Sequence, residues 1–75
     1  MSNKLSASQQ IATELETVYE PGEVRAGQVV KEHAYNGSFE AFGWWFHKFN
    51  GHSLYLGKSV KEALDMIDIL EKRHG

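Results

Sequence analysis

A chain of 75 residues allows one domain, and at this size only about 60% of the unfolded surface is buried, which leaves little room for a deep catalytic cleft. The absence of cysteine excludes a disulfide framework and a thiolate zinc site, and disfavours an oxidising compartment. Eight Lys plus Arg against ten Asp plus Glu give a formal net charge of −2, which weighs against polyanion binding unless the basic residues cluster on one face.

The opening run Met1-Ser2-Asn3-Lys4-Leu5 has no apolar signal region, and no stretch approaches the roughly 18 apolar residues that span a bilayer. A soluble, cytoplasmic protein without membrane contact is expected, forming one domain over residues 1–75 with residues 1–6 as a flexible tail. A first helix is expected after Ser6 or Ser8. Ser6-Ala7-Ser8-Gln9 fits a capping box, and Ile11, Leu15 and Val18 recur at helical spacing as a narrow apolar stripe. Pro21-Gly22 should end it. From Glu23 to Tyr35, Val24, Val29 and Val30 favour a strand; a short helix over Gln28 to Ala34, capped by Asn36 or Gly37, is the alternative.

Two Asn-Gly steps, Asn36-Gly37 and Asn50-Gly51, bracket the aromatic run from Phe39 to Phe49. Asn-Gly between alternating apolar segments marks a hairpin, because both residues tolerate the positive φ of a type I′ turn. Two-residue loops at both steps would place Phe46 opposite Tyr55, Trp45 opposite Leu56, Trp44 opposite Gly57 and Val29 beside Trp44. One face would then collect Phe49, Leu54, Trp45 and Leu56, and the other Phe42, Trp44, Phe46 and Tyr55. The last element is a helix: Ser59-Val60-Lys61-Glu62 fits a capping box, and Val60, Ala63, Leu64, Ile67 and Leu70 form an apolar face widened by Met66 and Ile69. It is expected on the Trp45, Leu54, Leu56 face. The fold class is α+β, a three-stranded antiparallel meander with an N-terminal and a C-terminal helix.

In that order of elements, and in the run from Phe49 to Ala63, the chain resembles a double-stranded-RNA-binding domain, whose last strand leads through a Gly and a Ser-Lys-Lys cluster into its second helix. The resemblance implies phosphate contacts by Lys58 and Lys61. Val60, Glu62 and Asp65 replace much of the expected basic character, and Ala63 alone stands for the small alanines of that helix. The layout is also similar to the sheet-then-helix unit at the front of phage-type integrases, which is rich in Arg where this central strand carries Trp and Phe. These departures leave the family unassigned.

No nucleophile and base stand at a motif spacing, so no catalytic residues and no enzyme are expected. His47 and His52 lie diagonally across the second hairpin, with His33 or Glu40 as a further ligand, but two histidines without a fixed third ligand make no metal site. Glu14, Glu16, Glu20 and Glu23 fit a solvated acidic stretch. No cofactor is implied. The face of Phe42, Trp44, Phe46 and Tyr55 is either buried, by the first helix or a symmetric homodimer, or is a recognition surface. The functional expectation is a small regulator or inhibitor, similar to phage or mobile-element accessory proteins, that binds a protein partner through these four rings. The alternative is nucleic-acid binding, with Lys31, Lys48, Lys58 and Lys61 on phosphates and the rings stacking on bases.

Overall fold

The computed structural model describes residues 6–74. The elements run α1 (Ala7–Leu15), α2 (Pro21–Ala26), β1 (Gln28–Asn36), β2 (Phe39–His47), β3 (Ser53–Gly57) and α3 (Val60–His74). The strands form one antiparallel sheet in the order β1-β2-β3, with helices before and after it, as the α+β expectation requires. Of the expected tail at 1–6, residues 1–5 lie outside the described residues, whereas Ser6 is held as the cap of α1: its hydroxyl accepts from the Gln9 N–H while the Gln9 side chain accepts from the Ser6 N–H.

Pro21 does not end the first helix. α1 stops at Leu15, a tight turn follows, and Pro21 opens the short α2, where its fixed φ and missing N–H suit the first helical position. Val24 is accordingly a buried helical residue, whereas Gln28 onward is strand. At the other end, the Ser59 hydroxyl accepts from the Glu62 N–H and caps α3.

Both hairpins close with loops other than those expected. In the first, Asn36 pairs with Phe39, so Gly37-Ser38 forms the loop; Gly37 supplies the positive φ and every described non-glycine residue has negative φ, as a type II′ turn demands. Pairing moves by two residues, to Val29 opposite Phe46 and Lys31 opposite Trp44, which leaves each side chain on its expected face. In the second, the Lys48 N–H reaches the His52 carbonyl, the Gly51 N–H reaches the Lys48 carbonyl and Gly51 takes φ +92°, which makes a three-residue loop. That one-residue difference reverses the start of β3: Leu54 lies opposite Phe46 and Tyr55 opposite Trp45. A bulge at Trp44/Trp45 then restores Trp44 opposite Gly57.

The faces therefore differ from those expected. Trp44, Phe46, Leu54 and Leu56 share one face, and both long helices lie on it, α1 against β1 and α3 against β3. Ile11, Leu15, Val24, Trp44, Phe46, Leu56, Ala63 and Ile67 form the core there, with Val18, Tyr19, Val29 and Leu54 packed against it. Fully burying a side chain of this kind contributes about 1.5–3 kcal/mol. Ile69, expected to widen the apolar face of α3, is half exposed instead.

Among the described residues no helix covers the opposite face, yet Trp45 on that face is fully buried. The far half of the β1–β2 hairpin curls back over it. Six residues of straight strand span about 20 Å, whereas the rings of Phe39 and Trp45 are 6.2 Å apart. Trp45 Nε1 donates to the Ala41 carbonyl of its own strand at 3.2 Å, Tyr55 donates its hydroxyl to the Phe42 carbonyl at 3.2 Å, and Asn36 Nδ2 donates to the Ser53 carbonyl at 2.8 Å. Gly43 lies within the curled part of β2, and a Cβ there would strike the Gly57 carbonyl oxygen and come within 2.7 Å of the Tyr55 hydroxyl.

Candidate functional site

The four rings expected to bind a partner do not form one surface. Phe46 is fully buried and Trp44 nearly so, both beneath the helices, where their contacts are made within the chain. Tyr55 points to the concave face, its ring against Phe39 and Trp45 at 5.4 and 5.1 Å, because the three-residue loop changed the phase of β3. Phe42 alone remains outward, 57% exposed.

Phe42 belongs to a different surface. The hairpin extends beyond the helical layer, so the helix-side face of its far half is open. There His33 lies opposite Phe42 and Tyr35 opposite Glu40. The His33 ring meets Tyr35 edge-on at 5.2 Å, His33 Nε2 bonds Glu40 Oε2 at 2.7 Å, and Lys31 Nζ lies 6.0 Å from the Phe42 ring centre. Tyr35 is 62% exposed. The result is an aromatic strip, Tyr35, His33 and Phe42, edged by one carboxylate and one ammonium. Tyr35 escaped sequence reasoning because it stands outside the aromatic run, although the alternation of β1 puts it on the Phe42 face.

The concave face carries a polar row across all three strands. His47 Nε2 bonds Glu32 Oε2 of β1 at 2.5 Å and His47 Nδ1 bonds Ser53 Oγ of β3 at 2.7 Å. The imidazole stacks parallel on Trp45, with ring centres 5.9 Å apart. His47 thus spends both nitrogens on Glu32 and Ser53, while His52 is exposed beside the turn. Among the described residues, no three His, Cys, Asp or Glu side chains are gathered as a metal would need.

The lysines do not assemble into one stripe. Lys48 sits over the Tyr19 ring at 4.4 Å, beyond the β2 end that faces the start of β3, whereas Lys58 follows the opposite end of β3. Lys61 is paired with Asp65 at 3.0 Å and the Lys58 N–H points to Glu62, so carboxylates stand among the basic groups at the start of α3. Lys31 lies across the sheet on the row of Trp44 and Gly57. Glu16, Glu20 and Glu23 rim an open hollow at the α1–α2 turn. Among the described residues, no helix is long and apolar enough to cross a membrane.

Comparison of the chain with protein-family models, with curated proteins and with solved structures gave no match.

Proposed function

We propose that this chain is a binding domain, a small regulator or inhibitor, that docks on a protein partner through the Tyr35, His33 and Phe42 strip. One observation carries this reading: two large aromatic side chains, 62% and 57% exposed, share one face of a hairpin that projects past the helices. Tyrosine and phenylalanine anchors in a partly charged rim suit protein interfaces, where a few buried rings supply most of the affinity. Glu40 within the strip and the net charge of −2 favour a protein over a polyanion. Phe42 is kept from the sequence expectation, and Trp44, Phe46 and Tyr55 are replaced by Tyr35 and His33.

The test compares the wild-type chain with Tyr35→Ser/Phe42→Ser in co-purification from source cells. The expected result is a discrete, stoichiometric partner retained in 0.5 M salt and lost with the double variant, whose melting temperature stays near that of the wild type. An unchanged partner profile would contradict the proposal, as would a mobility shift with nucleic acid that fades steeply with salt. A concentration-dependent mass in sedimentation, abolished by the double variant, would identify the partner as a second copy.

A further inference from the structure

We propose that Ser53 is a base-activated nucleophile, with His47 as its general base and Glu32 as the carboxylate that positions the imidazole, and that it accepts an acyl group from small activated esters. The row lies on the concave face, opposite the Tyr35 and Phe42 strip, and is independent of the binding role proposed above.

The order of contacts is hydroxyl, imidazole, carboxylate, at 2.7 and 2.5 Å, each group from a different strand of one sheet. A carboxylate only accepts hydrogen bonds, so in the neutral imidazole the proton sits on Nε2 and is donated to Glu32. Nδ1 is then left with its lone pair toward Ser53 Oγ, ready to receive the hydroxyl proton. A nucleophile within hydrogen-bond reach of a base that a third group orients is the arrangement nucleophilic catalysis requires. The imidazole is held flat against the fully buried Trp45, which limits its rotation. Ser53 is half-buried, and the His47 and Glu32 side chains are 26% and 47% exposed, so the row is not sealed from solvent. Asn36 bonds the carbonyl of Ser53 itself and fixes the nucleophile's backbone. The other His–Glu pair, His33 with Glu40, meets the edge of the Tyr35 ring and has no serine hydroxyl on its imidazole.

In the acylation step, Oγ bonds to the acyl carbon while its proton passes to His47 Nδ1. The bond from that carbon to the leaving oxygen then breaks, and the leaving group takes the proton from His47. Water reverses the sequence: it adds to the acyl carbon, gives a proton to His47, and Oγ departs reprotonated. The concave face, with the hairpin tip bonded to the Ser53 carbonyl, favours short, unhindered acyl groups.

The full chain is incubated with a fluorophosphonate probe and followed by intact mass and peptide mapping, and separately with p-nitrophenyl acetate. Probe attack forms the P–Oγ bond, breaks P–F and releases fluoride. The expected result is one adduct, on Ser53, absent in Ser53→Ala and formed at least about 100-fold more slowly in His47→Gln, in keeping with general-base contributions of that order. Glu32→Gln should slow labelling, Glu32→Asp should restore part of it, and His52→Gln, at the exposed histidine beside the turn, should label at the wild-type rate. Wild-type chain unfolded in urea should lose the reaction, which separates a built site from ordinary serine reactivity even if a variant folds poorly. Labelling of Ser53 no faster in the native than in the unfolded chain would overturn the proposal and leave the row a cross-strand tie. A native adduct whose rate is indifferent to His47→Gln would overturn it equally.

Discussion

On one face of the sheet, Trp44 and Phe46 lie beneath α1 and α3; on the other, Trp45 lies beneath the far end of its own hairpin. The first covering is made by elements distant in sequence, whose apolar side chains converge from α1, α2 and α3 on a common core. The second is made by β1 and β2 bending back on themselves, with Phe39, Tyr55 and His47 around the indole and hydrogen bonds from Trp45, Tyr55 and Asn36 holding the curl. A strand that is aromatic on both sides therefore requires neither a third layer nor a partner. In a domain too small for another helix, curvature of the sheet provides the missing cover, while Tyr35 and Phe42 on the helix-side face of the hairpin and Phe49 in the second turn stay accessible.

The two coverings should fail differently. Phe46→Ala should cost about 3–5 kcal/mol in urea unfolding, enough to unfold much of so small a domain, because it opens a cavity between sheet and helices. Gly43→Ala should cost about 1–3 kcal/mol by forcing a Cβ against the Gly57 backbone and the Tyr55 side chain. Far-UV circular dichroism should keep its helical signal while acrylamide gains access to tryptophan. If Gly43→Ala instead melts the helices and sheet together, the curl is not a separate unit. Ser6→Ala should cost about 1 kcal/mol by uncapping α1, leaving quenching of Trp45 unaltered. Asn36→Ala should cost only about 0.5 kcal/mol, since the bond it removes is exposed, but amides of the hairpin tip should exchange faster than those of α3.

The helices and the meander were legible because their signals are local: the Ser6 and Ser59 caps, the stripe of Ile11 and Leu15, and glycine at the two turns. The phase of β3 was not, because Asn50-Gly51 serves a three-residue loop as readily as a two-residue one, and one residue exchanges the faces of Leu54 and Tyr55. The curl was hidden for a different reason. Gly43 in an aromatic run reads as space for a ring, whereas its need for no Cβ comes from Gly57 and Tyr55, which are remote in sequence. Likewise Glu32, His47 and Ser53 are separated by 15 and 6 residues, and only strand pairing joins them. No spacing motif could have suggested that row. At Pro21 the residue was read correctly as a boundary and wrongly as an end, since proline opens helices as well as breaking them.

The most direct test of the self-covered face uses Trp44→Phe, which leaves Trp45 as the one tryptophan of the chain. Its emission and acrylamide quenching are followed over a thousandfold dilution. A blue-shifted, protected signal that is the same at every concentration is the predicted result, because the cover belongs to the same chain. A red-shifted, quenchable signal, or protection lost on dilution, would mean that the hairpin does not close over Trp45 and would contradict the account.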